Sequence, residues 1–179
     1  GGVFLVLSPR PPQASALFEE PQVQPFAPDL AAGDRLAFVL RANATRTIKT
    51  DRITPSGKRE RQHNDVVMAA LKPVARLREL PPDEESRRAP LRLKLAQEAG
   101  EKWLEGQGAR AGFAVRTAGV TAYDVVEPPG QGTRRPRFGV LELEGVIDVT
   151  DPAAFLARLA QGFGRAKAFG CGLMLIRRA

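Results

Sequence analysis

The chain has 179 residues, of which 43% are hydrophobic and 26% charged, and its formal net charge at pH 7 is +7. Such a composition is typical of a globular protein with a core. The sequence holds no apolar stretch of roughly 18–20 residues, which excludes a membrane-spanning helix, so we expect no membrane partner. A single cysteine excludes an internal disulfide and a cysteine metal cluster, which fits a reducing, cytoplasmic location. The basic balance favours a polyanionic partner, although biased base composition also produces chains rich in Arg, Ala, Pro and Gly.

The positive charge is concentrated in three places. Residues 41–61 carry seven cations against two acids, and five cations without any acid follow Asp151. A third cluster, Arg134-Arg135-Pro136-Arg137, lies in a Gly- and Pro-rich turn, whereas the acids gather in residues 79–105. Because a merely solvated surface mixes the two signs, this segregation predicts a basic face.

Two strands are predicted in the first half of the chain. VFLVLS (3–8) is a β-branched apolar run that predicts a buried strand, and the Pro-interrupted residues 13–33 can hold only a short helical turn and an edge strand. RLAFVLRAN (35–43) alternates, which predicts a strand with an apolar and a partly polar side. The apolar side carries Leu36, Phe38 and Leu40, and the other side carries Val39, Arg41 and Asn43. We expect a basic loop over 44–65, then a short apolar turn and a charged connector over 78–90.

The second half predicts a helix, two strands, a helix and a strand. From residue 91, Leu93, Ala96, Gly100, Trp103 and Leu104 follow a helical period that Gly106 and Gly108 are expected to end. Strands are predicted over 112–126 and 138–149, joined by a long hairpin loop. Asp151 and Pro152 predict a capped helix, in which Phe155, Leu156, Leu159 and Phe163 are expected to be buried. CGLMLIRR (171–178) predicts the last strand.

From residue 35 this order predicts an α+β, ferredoxin-like βαββαβ fold, with an antiparallel sheet and both helices on one face. The opening strand and its Pro-rich sequel are interpreted as the remainder of a second such unit. We therefore expect a tandem repeat with the first copy incomplete: residues 1–34 belong to an N-terminal ferredoxin-like domain and residues 35–179 form the C-terminal one. The chain begins Gly-Gly-Val-Phe without a methionine, which predicts that it is part of a longer protein.

The stretch GFGRAKAFGCGLML (162–175) holds four glycines and two cations. It is not a dinucleotide-binding fingerprint, because Lys167 stands where a third glycine is needed and a helix precedes the run. It is not a P-loop either, because no Gly-Lys-Ser/Thr is present. Two interpretations remain: a helix cap followed by a glycine-rich entry to a strand, or an anion site in which backbone amides and the two cations meet phosphate.

Three stretches together resemble the CasE family of CRISPR-associated, repeat-cleaving endoribonucleases of the Cascade complex. They are GFGRAKAFGCGLMLI at the C-terminus, LAFVLRANATRTI at 36–48 and GKRERQ at 57–62. The resemblance implies two ferredoxin-like domains. It further implies binding of the CRISPR repeat RNA hairpin and cleavage of the precursor at the base of the stem without a metal or cofactor. The protein then stays bound to the mature guide RNA (crRNA) beside the other Cascade subunits.

The resemblance also implies which residues face the RNA. It places a glycine-rich loop at 162–172, with Gly162, Gly164, Arg165, Lys167, Gly170 and Gly172. It puts Arg41 and Asn43 on the RNA-facing side, and Lys58, Arg59 and Arg61 in a basic loop. Arg134, Arg135 and Arg137 fall in a hairpin that such proteins place against the RNA stem.

The catalytic residues are expected upstream of Gly1, outside this sequence. The family's first domain opens with a segment bearing a tyrosine and a catalytic histidine. The resemblance implies that this chain begins after that segment, because its opening GGVFLVLS corresponds to the third strand of the domain. On the length that such a segment needs, we expect roughly fifty residues to precede Gly1.

Few residues within the chain are candidates for chemistry. His63 is a weak candidate for the base or acid, since a lone loop histidine is usually solvated. Tyr123 and Cys171 are expected to be packed side chains. The carboxylates of residues 83–85 (Asp83, Glu84 and Glu85) are expected to form a solvated connector, so no metal site is predicted.

Two alternatives to an endoribonuclease stay open. One is a non-catalytic structured-RNA-binding or assembly subunit that uses the same basic face. The other is a ribosomal-type RNA-binding ferredoxin fold, which does not account for the glycine-rich loop.

Overall fold

The computed structural model of the protein describes residues 2–72, 85–128 and 136–179, and for residues 85–91 it describes the backbone only. The elements follow the order β1 (Arg35–Ala42), β2 (Thr45–Ile53), β3 (Arg59–Asp65), α1 (Val66–Leu71), α2 (Glu85–Ala111), β4 (Phe113–Val126), β5 (Phe138–Val149), α3 (Pro152–Gln161) and β6 (Met174–Arg178). A 3-10 turn, Lys167–Phe169, lies between α3 and β6. Within these ranges no helix combines the length and the apolar character that crossing a membrane requires.

Four strands form the main sheet in the order β4-β5-β1-β6, and every neighbouring pair is antiparallel. The apolar side of β1 is buried in one core together with Leu104 of α2 and Phe155 of α3. Val39, on the other side of β1, is 49% exposed. Both long helices therefore cover the same face of the sheet. Omitting β2, β3 and α1, the order is βαββαβ, which confirms the predicted ferredoxin-like fold.

Local sequence signals place β5 and α3 where they were predicted. The inward side chains of β5 (Leu141, Leu143, Ile147 and Val149) are buried, whereas Glu142 and Asp148 point outward and bind arginines. Asp151 caps α3, accepting a hydrogen bond of 3.0 Å from the amide of Ala154, and Pro152 begins the helix. Alternation and a capping residue are signals that do not depend on distant partners.

Helix α2 is longer than the sequence predicted at both ends. It begins at Glu85, inside the predicted connector, and continues through Gly106 and Gly108 to Ala111. Gly112, where φ is +72°, follows the last helical residue. Gly108 is a packing position, because a Cβ there would overlap the carbonyl oxygen of Phe113. Of the apolar positions that indicated this helix, Ala96 and Leu104 are buried, whereas Leu93 is 49% exposed. Asp83 and Glu84 lie outside the described residues.

The predicted basic loop over 44–65 is a β-hairpin instead. Strands β2 and β3 pair antiparallel and form a separate two-stranded sheet. The turn is closed by the amide of Gly57, with φ at +75°, which donates to the carbonyl of Thr54 at 2.8 Å. The β-branched residues of TRTIKTDRI favour a strand, and the density of charge concealed that preference. α1 follows directly and replaces the predicted apolar turn.

The predicted strand over 3–8 is wrong in this structure. The segment forms no strand, and Val3 and Phe4 are 91% and 74% exposed. A strand needs a neighbour for its backbone groups, and in the described part of the chain this segment has none. The predicted edge strand within 13–33 is absent from the described residues as well.

The residues before β1 are attached to the main sheet at their C-terminal end. There the amide of Gly33 donates to the carbonyl of Val149 at 2.7 Å. Gly1, the residue before which the catalytic groups were expected, lies outside the described residues. The assignment of residues 1–34 to a first domain and the location of the catalytic residues upstream of Gly1 both stay predictions.

Candidate nucleic-acid interface

The glycine loop (residues 162–172) depends on left-handed backbone conformations. Its glycines have φ between +73° and +96°. They are Gly162, Gly164, Gly170 and Gly172. A Cβ at Gly164 would lie 2.6 Å from the carbonyl oxygen of Asn43, and one at Gly172 would lie 2.6 Å from that of Phe163. The absence of side chains thus lets the loop pass close to the end of β1 and to itself.

The backbone amides of the glycine loop bond mostly within the fold. Gly162 N donates to Arg158 at 2.9 Å and ends α3. Phe163 N donates to Gly172 at 2.8 Å, Arg165 N to Asn43 at 3.1 Å, and Gly172 N to Arg41 at 2.7 Å. These amides are therefore engaged by carbonyls. The helix cap and close packing account for Gly162, Gly164 and Gly172, and Arg165 and Lys167 give the loop positive charge.

Three cationic residues lie in or beside the glycine loop. Arg165 and Lys167 are exposed, and Lys167 Nζ donates to the carbonyl of Gln161. Arg41 is exposed on the adjoining end of β1, where its guanidinium donates to Glu142 Oε1 at 2.9 Å. The neighbouring Cys171 is buried, and burial raises the pKa of its thiol above the ordinary value, which describes a packed cysteine.

Asn43 does not face outward, although the resemblance implied that it lies on the RNA side. Its side chain is 5% exposed, and Nδ2 donates a hydrogen bond of 2.7 Å to the carbonyl of Gly139. Gly139 also lies against two further polar groups: a Cβ at this position would overlap Asp65 Oδ2 and would lie 2.7 Å from the hydroxyl of Tyr123. The start of β5 therefore lies between the end of β1 and the base of the β2–β3 hairpin.

The hydroxyl of Tyr123 donates to Asp65 Oδ1 at 3.2 Å, and the same oxygen accepts the amides of Val67 and Met68 at 2.9 Å to cap α1. Burial, together with the Asp65 carboxylate, raises the pKa of Tyr123 far above its ordinary value. The phenol is thus a neutral donor that fixes the hairpin to β4. Sequence reasoning missed this contact, although Asp65 before VVMAAL was a readable capping signal.

Four cations of the hairpin line one groove of about 650 Å³. They are Lys49, Lys58, Arg59 and Arg61, beside Thr54 and Ser56. Lys49 and Arg61 are directly opposite each other across the two strands. Two like charges at this spacing repel, so an anion between them would relieve the repulsion. His63 is exposed two pairs further along, opposite Thr47, and its Nδ1 lies 3.0 Å from Thr47 Oγ1.

The third predicted cluster is only partly described. Arg137 is exposed and forms an ion pair of 3.2 Å with Glu127, across the ends of β4 and β5. Arg134 and Arg135 lie outside the described residues. The structure thus brings Arg41, Asn43 and the glycine loop together at one end of the sheet, and places Lys58, Arg59 and Arg61 on the adjoining hairpin.

The model of the family described as "CRISPR associated protein" matches residues 1–178. The chain belongs to this family, which confirms the resemblance that its glycine-rich motif indicated. A comparison with curated protein sequences gives no match.

The solved structures of similar fold described below are of CRISPR proteins. The CRISPR endoribonuclease Cse3 bound to a 19-nucleotide RNA is 24% identical, with a TM-score of 0.52 over 86% of this chain and 60% of that chain. Thermus thermophilus Cse3, bound to an RNA representing a pre-cleavage complex, is 24% identical, with a TM-score of 0.51 over 86% of this chain and 58% of that one. A chain of a CRISPR RNA-guided surveillance complex is 21% identical, with a TM-score of 0.52 over 88% and 64%. The chain therefore spans less than two thirds of the length of these proteins, and the likeness shows the fold.

Proposed function

We propose that the protein binds the RNA hairpin of a CRISPR repeat and takes part in processing the precursor RNA as a metal-independent endoribonuclease. It then remains bound to the crRNA as a Cascade subunit in the cytoplasm. The observation that carries the proposal is the junction at the end of β1. There the exposed cations Arg41, Arg165 and Lys167 lie beside a hairpin whose groove is lined by four more. Clustered cations of this kind match the phosphates of an RNA backbone.

The cations and the glycines have different roles in this proposal. Lys58, Arg59 and Arg61 of the groove contact phosphates and set the register of the RNA, together with Arg41, Arg165 and Lys167. Asn43 and the four glycines shape the loop that carries the cations, since Asn43 is buried and several of the loop amides are bonded. Arg134, Arg135 and Arg137 recognise the duplex part of the RNA hairpin, because the slim β-hairpin that the sequence predicts there could reach phosphates across a narrow A-form groove.

Cleavage by the 2′-hydroxyl of the RNA needs a base, an acid and stabilisation of the charge on the phosphorane. Arg165 and Lys167 can supply the last of these. We place the acid–base pair upstream of Gly1, in a part of the protein outside these 179 residues, which fits the greater length of the similar structures. His63 is the runner-up, because its ring is exposed on the cationic hairpin and is oriented through Nδ1.

A cleavage assay separates these possibilities. The 179-residue chain should shift a labelled repeat hairpin in a gel yet leave it uncut over hours, because loss of proton transfer costs about 10²–10⁴ in rate. A longer form that includes the preceding segment should cut the same RNA equally well in chelator. Cutting by the 179-residue chain that is lost in His63→Ala would assign the acid or base to His63. If the longer form binds without cutting, the protein is a non-catalytic RNA-binding or assembly subunit.

A further inference from the structure

Phe169 is a large apolar side chain left open at the surface of the glycine loop. It ends the 3-10 turn Lys167–Phe169 and is 52% exposed, whereas Phe155 and Phe163 are fully buried. Its ring centroid lies 5.4 Å from that of Phe138, the first residue of β5, with 45° between the ring planes. The pair therefore forms an aromatic surface at the end of the main sheet where β5 begins.

Cations and open space surround this pair. Lys167 is exposed at the start of the same turn, and Arg137 is exposed immediately before Phe138. Gly170 follows Phe169, and nothing lies within 4 Å of the position that its Cβ would take. A flat aromatic group of a ligand can thus approach the Phe169 ring while an anionic group attached to it contacts Lys167 or Arg137. A second aromatic pair, Phe4 and Phe18, offers a contrast. Its centroids are 5.8 Å apart, but Phe18 is followed by Glu19 and Glu20.

We propose that Phe169, backed by Phe138, is a stacking site for an unpaired nucleobase of the bound RNA, next to the duplex that the cations hold. This inference rests on the proposed function. Bases inside a duplex already stack on their neighbours, so only an unpaired base can offer its face to a protein ring. Stacking of one base on an aromatic side chain changes affinity by roughly 5- to 150-fold and tolerates any base. The site therefore recognises the presence of an unpaired base, whatever its identity.

The test uses the host's own CRISPR repeat hairpin with its flanking unpaired nucleotides. At each unpaired position in turn the base is replaced by 2-aminopurine, or removed to leave an abasic site. With the wild-type chain, one position should show quenched 2-aminopurine fluorescence, and the abasic site at that position should weaken binding by at least about 5-fold. Phe169→Tyr should keep both effects. Phe169→Leu should lose both, because it fills similar space without a π-face.

A packing role for Phe169 predicts a different result. In that case Phe169→Leu behaves as wild type, or the abasic penalty is the same in both proteins, and either result overturns the stacking site. Phe18→Leu is the matched control and should leave the abasic penalty unchanged, and thermal unfolding should show that all variants fold. If the wild-type chain binds no repeat RNA at all, the proposed function fails and this inference falls with it.

Discussion

The side-chain amide of Asn43 donates a 2.7 Å hydrogen bond to the carbonyl of Gly139, which joins the end of β1 to the start of β5. The carbonyl of Asn43 accepts the amide of Arg165 at 3.1 Å in addition. One buried residue thus connects two central strands with the glycine loop. The position of the exposed Arg165 therefore depends on Asn43, which is itself buried.

Replacing Asn43 by Ala should lower the free energy of unfolding by about 1–3 kcal/mol, because the buried carbonyl of Gly139 loses its donor. Urea denaturation measures the change. The control is Asn64→Ala, a half-buried asparagine on β3, which should change stability by less than about 0.5 kcal/mol, as surface substitutions usually do. Equal losses in the two variants would show that the Asn43 hydrogen bond contributes nothing specific.

Two glycines of the loop separate backbone strain from steric overlap. Both Gly164 and Gly170 have positive φ, but a Cβ meets the Asn43 carbonyl oxygen at 2.6 Å only at Gly164, and nothing within 4 Å at Gly170. Gly170→Ala should cost about 1–2 kcal/mol for the left-handed conformation alone. Gly164→Ala should cost more and should also weaken RNA binding, because the loop must move off β1. Thermal unfolding compares the two, and the same shift in Tm for both would mean that the overlap is relieved freely.

The ion pairs of Asp148 should give stability a pH dependence in acid. Hydrogen bonds from Arg116 and then Arg35 hold the pKa of Asp148 below its usual value of 3.8. The unfolded chain therefore binds the proton first, and the stabilisation is present above about pH 3.8 and is lost as the pH falls through the lowered pKa. Asp148→Asn should be less stable than wild type at about pH 6, and the difference should shrink in stronger acid. Asp124→Asn, on the exposed side of β4, is the control. A stability difference between Asp148→Asn and wild type that stays constant with pH would contradict this role of the Asp148 ion pairs.

The opposed cations Lys49 and Arg61 should lower the stability of the hairpin while they increase its affinity for RNA. Arg61→Gln removes a like-charge pair and should stabilise the hairpin by about 0.2–1 kcal/mol, while it weakens RNA binding. Arg46→Gln is the matched control, because Arg46 pairs with Asn64 elsewhere in the register, on the opposite side of the same hairpin. It should affect RNA affinity less. Weaker binding of the same size in both variants would assign the hairpin to general charge rather than to a groove.

The fold could be read from the sequence where the signals are local. The alternation in β1 and β5 and the Asp151 cap of α3 need no knowledge of distant contacts, and they lie where they were predicted. The β2–β3 hairpin was missed because both of its faces are polar, so no apolar alternation marks it. The end of α2 was misplaced because Gly108 is explained by Phe113, a contact visible only in the folded chain.

In the candidate site, too, the local signals could be read from the sequence and the tertiary contacts could not. The motif gave the glycine loop and its two cations, but not what the glycines do. The role of Gly164, for example, depends on the carbonyl of Asn43, which is far from the loop in sequence and adjacent to it in the structure. Likewise, nothing in the sequence pairs Phe138 with Phe169. Residue types indicate chemistry, whereas the close approaches that give them a role arise from tertiary packing.

The salt dependence of RNA binding shows whether the cations of this chain bind RNA phosphates. The affinity of the 179-residue chain for the repeat hairpin should fall linearly on a log–log plot against salt, with a slope of about 0.7–0.9 per phosphate neutralised. Removing one groove cation, as in Arg61→Gln, should reduce the magnitude of that slope by about 1. An affinity that stays flat between low and moderate salt, or a slope that is unchanged in Arg61→Gln, would mean that the groove cations do not bind RNA phosphates.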